Sequence, residues 1–352
     1  MDLMKAQLLV EHGKNAYRYN DIKIPEIKED HVLVQVLNCS INNTDIWTRD
    51  GLYSNDNSGS GWQPLDFPII QGADIVGKVV KIFNNDDIQL LEAKVIVYPV
   101  VNNRDPDDSI KEITECQYMG SEIDGGYAEY CLVKRDNVFV IPETCLLTDA
   151  QLSCIPTAYM TAYYMIKRAD IDETDICIVS GASGGVGLAL IHLLKIWNIK
   201  TVAICAGEKK PLVRLEGAWK TVSRTKDDLE EIKNDIMVAN NYKPYDIVFD
   251  VVAGNWLNMF IDVLKVGGKY VCSGAIGGRN VEIFWPKFYL KHIDLLGSML
   301  CPRAAFLELL DLVFKNYVYP KVHKVFYLND LEKAQELFES KKFIGKIVLR
   351  CV

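Results

Sequence analysis

Between Asp175 and Lys195 the chain reads DICIVSGASGGVGLALIHLLK. Ile176 to Val179 form a short, continuous apolar run, the pattern of a strand buried on both faces. After the glycine-rich break Gly181-Ala-Ser-Gly-Gly-Val-Gly187, apolar residues recur at 186, 190, 193, 194 and 197, a helical spacing. Strand, glycine turn and helix in that order open a βαβ unit and commit the surrounding segment to a parallel α/β sheet. Lacking side chains at 184, 185 and 187, the backbone can turn tightly and approach a diphosphate. The free N–H groups and positive dipole end of the new helix can then hold that anion. The spacing is A-x-G-x-x-G, with Ala182 in place of the first glycine. Ser183, Gly184, Gly185 and Val186 are therefore expected at a dinucleotide; the alternative use of such a turn is close helix–strand packing alone.

The rest of the chain narrows the class of partner. Its 352 residues suffice for two domains, and 49% hydrophobic with 24% charged residues is an ordinary globular balance. A net charge of −8 and the lack of any Lys/Arg-rich run argue against nucleic acid and anionic membranes as partners. The N-terminal MDLMKAQLLVEHGK has too short an apolar segment for a signal peptide, so a cytoplasmic location is expected. Ten cysteines, with no Cys-x-x-Cys pair and several inside apolar strands, read as reduced core residues.

Ahead of the glycine turn, residues 3–10, 22–24 and 31–39 read as short strands, and HVLVQVLNCS alternates like a half-buried one. Ser40 to Tyr53 is a turn that gathers polar and aromatic side chains at a strand end, and SNDNSGSG after it reads as a mobile loop. FPIIQGADIVGKVVKIF, KVIVYPVV, GGYAEYCLV and VFVIP supply further strands, with 102–115 as a solvated acidic excursion. Beyond the turn, YDIVFDVVAG and GGKYVCSGAIGG repeat the strand-then-glycine pattern that lines a parallel sheet's ligand crevice. DLLGSML reads as a strand leaving that sheet; residues 306–314 and 330–342 read as amphipathic helices.

Together these segments resemble the medium-chain dehydrogenase/reductase superfamily, and within it the zinc-free quinone-oxidoreductase-like branch. INNTDIWTRDGLY resembles that branch's N-x-x-D…R-x-G-x-Y segment, and QGADIVGKVV its G-x-[DE]-x-x-G strand. GGYAEYCLV, MTAYYMI, SGASGGVG, YDIVFDVVAG and the terminal FIGKIVLRCV fall in the family's order. YVCSGAIGG coupled to YLKHIDLLGSML suggests a subgroup labelled alcohol-dehydrogenase-like, a label of ancestry and not of substrate. The resemblance implies a doubly wound Rossmann nucleotide domain at 151–291 and a β-rich GroES-like catalytic domain at 1–150 and 292–352. At the cofactor it implies Thr161, Val251, Ser273, Gly274 and Lys346; at the reacting atoms it implies Asn42, Asp45 and Tyr53. Tyr53 matches the proton donor of enoyl reductases, and Asn42 the asparagine beside the nicotinamide. Trp47 stands where many relatives have a second tyrosine, and walls the pocket.

A catalytic zinc needs about three Cys, His or carboxylate ligands converging on one point. Zinc-dependent relatives carry a Cys before the loop Asp and open the next motif with Gly-His-Glu. Here the matching positions are Asn42 or its neighbours and Gly72-Ala73-Asp74, while Cys116 stands alone where a structural zinc lobe would be. No metal is expected. After the strand KTVAICAG, an NAD site would place an acid on the ribose. This chain has Gly207, then Glu208, Lys209 and Lys210. The lysines favour NADP(H) with its 2′-phosphate, whereas Glu208 opposes it. The expected activity is hydride transfer from NADPH to a quinone, activated carbonyl or α,β-unsaturated small molecule, by a homodimer. An enoyl-thioester reductase and a non-catalytic, crystallin-like NADPH-binding protein are the alternatives.

Overall fold

The computed structural model describes residues 2–53, 65–101, 116–224 and 228–352. The SNDNSGSG loop and the 102–115 excursion lie outside these residues. The chain forms two compact units, Met1–Thr157 with Pro302–Val352, and Ala158–Cys301. Both breaks fall later than the 150 and 291 positions expected from the sequence. The second moves because Asp294–Gly297 does not leave the nucleotide sheet: it pairs in parallel with Leu264–Cys272 as the last strand.

The second unit holds six parallel strands, in the order Lys220–Ser223, Lys200–Cys205, Ile176–Val179, Tyr245–Asp250, Leu264–Cys272 and Asp294–Gly297. Counted within the unit this is 3-2-1-4-5-6, the Rossmann order, whose direction reverses between Ile176–Val179 and Tyr245–Asp250. Ile178, Val202, Ile204, Val248 and Phe260 fill its core. Each such side chain contributes roughly 1.5–3 kcal/mol by leaving water. Helices Met160–Ala169 and Gly185–Ile196 stand where the sequence places them.

The first unit is β-rich and almost wholly antiparallel. His31–Ser40 is its central strand, pairing with Asp74–Ile82, Tyr130–Lys134 and Lys346–Arg350. Strands on both edges and core on both faces explain why HVLVQVLNCS is buried nearly throughout instead of alternating. A second, three-stranded sheet places Leu3–Leu9 between Tyr17–Lys23 and Ile69–Ile70. KVIVYPVV divides into Lys94–Val97 and Val100–Val101, the latter pairing with Gln117–Tyr118. Ser40–Tyr53 is more than a turn, since Asn43–Arg49 is a helix. Its signal was the N-x-x-D spacing: Asp45 reaches back to accept the Asn42 N–H at 2.7 Å, half of a capping box.

Candidate active site

The fingerprint forms an open backbone cradle. Residues 183–186 are half-buried, while the strand before them and the helix interior after them are buried. A Cβ added at Gly187 would stand 2.4 Å from the Gly181 carbonyl oxygen and 2.8 Å from the Ala182 Cα, so this glycine serves helix–strand packing. A Cβ at Gly184 would meet only the Gly181 oxygen, at 3.4 Å, and otherwise fill the cradle. No side chain caps the helix at Gly184. N–H groups at the positive end of a helix with that much room suit a diphosphate, and the residues fit the group the fold implies.

Behind the cradle sits Asp250, fully buried at the end of its strand. Its carboxylate accepts from Ser180 Oγ, from Val252 N at 2.7 Å, from Ala253 N at 3.1 Å and from Tyr270 Oη at 2.6 Å. Ser180 Oγ in turn accepts from Val251 N at 3.0 Å, and Ser273 N donates to the Asp250 carbonyl at 3.1 Å. One carboxylate thus fixes the strand ends that carry Val251, Ser273 and Gly274. Gly274 admits no Cβ, since one would lie 2.7 Å from the Val251 oxygen. Thr161 lies half-buried on the helix that precedes the fingerprint strand.

At the end of Lys200–Cys205, Gly207–Lys209 is a single tight turn leading into the helix Lys210–Glu216. Burial holds the Lys209 ammonium below the usual lysine range; Glu208 opposes this and Arg224 adds to it. Arg224 enters this corner because its N–H donates to the Cys205 carbonyl at 2.9 Å. It brings a cation to the two lysines that the sequence pattern did not single out.

In the first unit, Asn42, Asp74 and Lys346 form one buried cluster. Asp74 Oδ2 accepts from Ser40 Oγ at 2.5 Å, from Asn42 Nδ2 at 2.8 Å and from Lys346 Nζ at 3.3 Å. Lys346 Nζ also donates to the Ile41 carbonyl at 2.8 Å and to Asn42 Oδ1. The ammonium is only 3% exposed as a residue, so its three donors are all spent inside the unit. Both ends of the Asn42 amide are likewise bonded within the cluster. Asp45 is buried beside it and takes the Tyr127 hydroxyl at 2.9 Å along with the Asn42 N–H. Burial raises its pKa to about 7, with Asp74 adding, while those two hydrogen bonds and Lys346 pull the other way. Tyr53 is half-buried, its ring 5.6 Å from that of Trp47.

Among the described residues, no group of three or more His, Cys, Asp or Glu side chains is placed to hold a metal ion. Cys39 is buried, and desolvation pushes its thiol well above the ordinary range, which disfavours the thiolate a metal requires. The ten cysteines are free, and most are buried.

Two family models cover most of this architecture. Residues 28–143 match the alcohol dehydrogenase GroES-like domain, and residues 185–315 match the zinc-binding dehydrogenase model. A solved structure of a putative alcohol dehydrogenase from Sinorhizobium meliloti 1021 is 34% identical, with a TM-score of 0.92 over 99% of this chain and 97% of that one. The chain belongs to the medium-chain dehydrogenase/reductase superfamily. Among other relatives, the NAD-dependent alcohol dehydrogenase of Sulfolobus acidocaldarius is 26% identical, across 99% of both chains. The chloroplastic NADPH-dependent alkenal/one oxidoreductase of Arabidopsis thaliana is 29% identical, across 73% of this chain and 58% of its own. This superfamily member is thus an oxidoreductase of nicotinamide cofactors with the two-domain GroES-like and Rossmann fold.

Within the superfamily fold the expected residues fall into two groups. Ser183, Gly184, Gly185, Val186, Gly207, Lys209, Lys210, Val251, Ser273 and Gly274 all lie at carboxyl ends of the parallel strands or in the turns that follow them. Lys346, also expected at the cofactor, lies in the Asn42–Asp74 cluster of the first unit. Sequence reasoning passed over Asp250, Arg224, Tyr118 and Thr157. Asp250 could have been found as a lone acid ending an apolar strand. Tyr118 and Thr157, whose hydroxyl oxygens lie 2.9 Å apart, are 39 positions apart in sequence, and only the fold pairs them.

Proposed function

We propose that the chain is an NADPH-dependent reductase that transfers hydride, without zinc, to an α,β-unsaturated carbonyl compound, a quinone or an activated carbonyl. The observation that carries this reading is the buried ammonium of Lys346 on Asp74 and Asn42. It sets a fixed protein cation on the Asp74 carboxylate, and a divalent ion bound there would have to displace it. When bound, the reduced nicotinamide supplies the hydride and its electron pair. The glycine cradle would hold the diphosphate, and Lys209, Lys210 and Arg224 would hold the 2′-phosphate by charge-assisted hydrogen bonds. The relative named as an NADPH-dependent alkenal/one oxidoreductase supports the substrate class.

No helix among the described residues is long and apolar enough to cross a membrane. The substrate we propose is a small molecule met in the cytoplasm, with neither membrane nor nucleic acid as partner, and the net charge of −8 supports the exclusion of nucleic acid. The last strand of the parallel sheet, Asp294–Gly297, leaves one edge open, and Leu295 and Met299 are exposed along it. A homodimer formed on this unit would cover that edge.

The test is NADPH and NADH oxidation against enones, quinones, aldehydes and enoyl thioesters. Turnover of an enone or quinone, with NADPH preferred, is the expected result. Lys209→Ala with Lys210→Ala should cost about tenfold or more in NADPH affinity and leave NADH unchanged. Tight NADPH binding with no turnover of any member would contradict the reading and make the chain a nucleotide-binding protein.

A further inference from the structure

Tyr118 stands on a short strand whose following turn is packed tightly against backbone beside Asp74. Its strand, Gln117–Tyr118, pairs with Val100–Val101, and Glu122 Oε2 accepts the Tyr118 N–H at 2.8 Å. The turn that follows is wrapped around Gly72, two residues before Asp74. A Cβ at Gly120, where φ is +79°, would lie 2.5 Å from Gly72 N, and one at Gly125 would lie 2.3 Å from Gly72 O. Gly126 N donates to that same oxygen at 2.7 Å, and Tyr127 N to the Gln71 oxygen at 2.9 Å. Backbone packed this closely fixes the Tyr118 segment against the strand that carries Asp74.

The phenol itself is 5% exposed and its oxygen lies 2.9 Å from Thr157 Oγ1, with either hydroxyl able to donate. Burial, followed by the charge of Asp74, pushes its ionisation well above the ordinary range; the Thr157 bond opposes this, while Asp45 and Tyr53 add to it. At neutral pH it is a protonated acid. Asp74 Oδ1, beyond the three bonds its partner oxygen accepts, is buried with no partner. Tyr53 differs: it is half-buried and lies against Trp47.

We infer that Tyr118, backed by Thr157, is the proton donor of the reduction and that Tyr53 is a wall of the pocket. This rests on the reductase reading above. As hydride adds to the β-carbon of an enone, the C=C π pair shifts to make an enolate. The Tyr118 O–H bond then breaks, and its proton bonds to the enolate α-carbon. The O–H electron pair stays on the phenolate oxygen. Thr157 turns its own hydrogen onto that oxygen, giving the developing anion a donor at the moment it forms. A solvent proton restores the phenol, so the substrate gains one hydride and one proton, and the nicotinamide is oxidised by two electrons.

The experiment compares Tyr118→Phe, Thr157→Val, Thr157→Ser and Tyr53→Phe with the unmodified protein on the best enone of the panel. Tyr118→Phe should lose about 10²-fold in kcat with KM and the NADPH dissociation constant nearly unchanged, and its solvent deuterium isotope effect should rise. Thr157→Val should lose about tenfold, and Thr157→Ser should recover it. Tyr53→Phe should stay within about threefold. In protein free of cofactor, an ultraviolet difference titration read against Tyr118→Phe should show the Tyr118 ionisation moved to higher pH by Thr157→Val. Near-normal turnover in Tyr118→Phe with a large loss in Tyr53→Phe would overturn the assignment and leave the reductase reading standing. An unmoved phenol titration would overturn the pairing with Thr157. An unmodified protein with no turnover would remove the reductase reading itself, and this inference with it.

Discussion

The glycine turn of the nucleotide unit and the polar cluster of the catalytic unit are both built where strands end, from opposite materials. At the turn the chain withholds side chains: residues 183–186 stay half-buried, and the helix N-terminus offers N–H groups that no side chain caps. At the cluster the materials are side chains bonded to one another, from Ser40 and Asn42 through the Asp74 Oδ2 atom to Lys346. A site made of backbone is ready for an anion and asks little of its neighbours. A site made of buried charges is stable only while all its members are present.

That difference sets the largest expected effect. Lys346→Met would leave the Asp74 carboxylate buried beside Asn42 and Ser40 without its cation, at a cost of about 3–5 kcal/mol by denaturant unfolding. Combining it with Asp74→Leu should recover much of the loss, because the uncompensated charge goes too. A single variant as stable as the unmodified chain would mean that the ammonium contributes nothing to the cluster. A smaller effect separates two glycines within the turn. Gly187→Ala presses on backbone 2.4 Å away and should lower the unfolding free energy by about 1–3 kcal/mol. Gly184→Ala should unfold like the unmodified protein yet bind NADPH more weakly, since its Cβ enters the cradle and not the fold. Equal thermal midpoints for the two variants would dissolve the distinction.

The same contrast explains what could be read from the sequence. The turn was legible because its signal is local: an apolar run at Ile176–Val179, glycines at fixed spacing, and a helical period after them. Lys200–Cys205, Tyr245–Asp250 and Leu264–Cys272 announced themselves in the same way, and the terminal GKIVL strand matched its family pattern, whereas Lys220–Ser223, with only Val222 buried, carries no apolar run to read. The cluster was only half legible. Asn42, Asp45 and Asp74 stood out as motif positions, but nothing along the chain says that Lys346 would reach Asn42, 304 positions away. Nor could it say that Tyr118 would meet Thr157, on the helical segment Ile155–Tyr159. The helix Asn43–Arg49 was missed although its capping carboxylate was in view, because the polar and aromatic density of the segment reads first as a turn. Asp294–Gly297 was read as departing because an edge strand and an exit strand share one short apolar pattern.

The account rests most on the claim that a protein cation, and no metal, serves the catalytic unit. The direct measurement is zinc content by elemental analysis together with NADPH-dependent enone turnover, before and after exhaustive chelation. The expected result is far less than one zinc per chain and turnover unchanged by the chelator. One zinc per chain, lost together with turnover and restored with it, would contradict the account and make Cys39, Asp45 and Asp74 the first residues to examine as ligands.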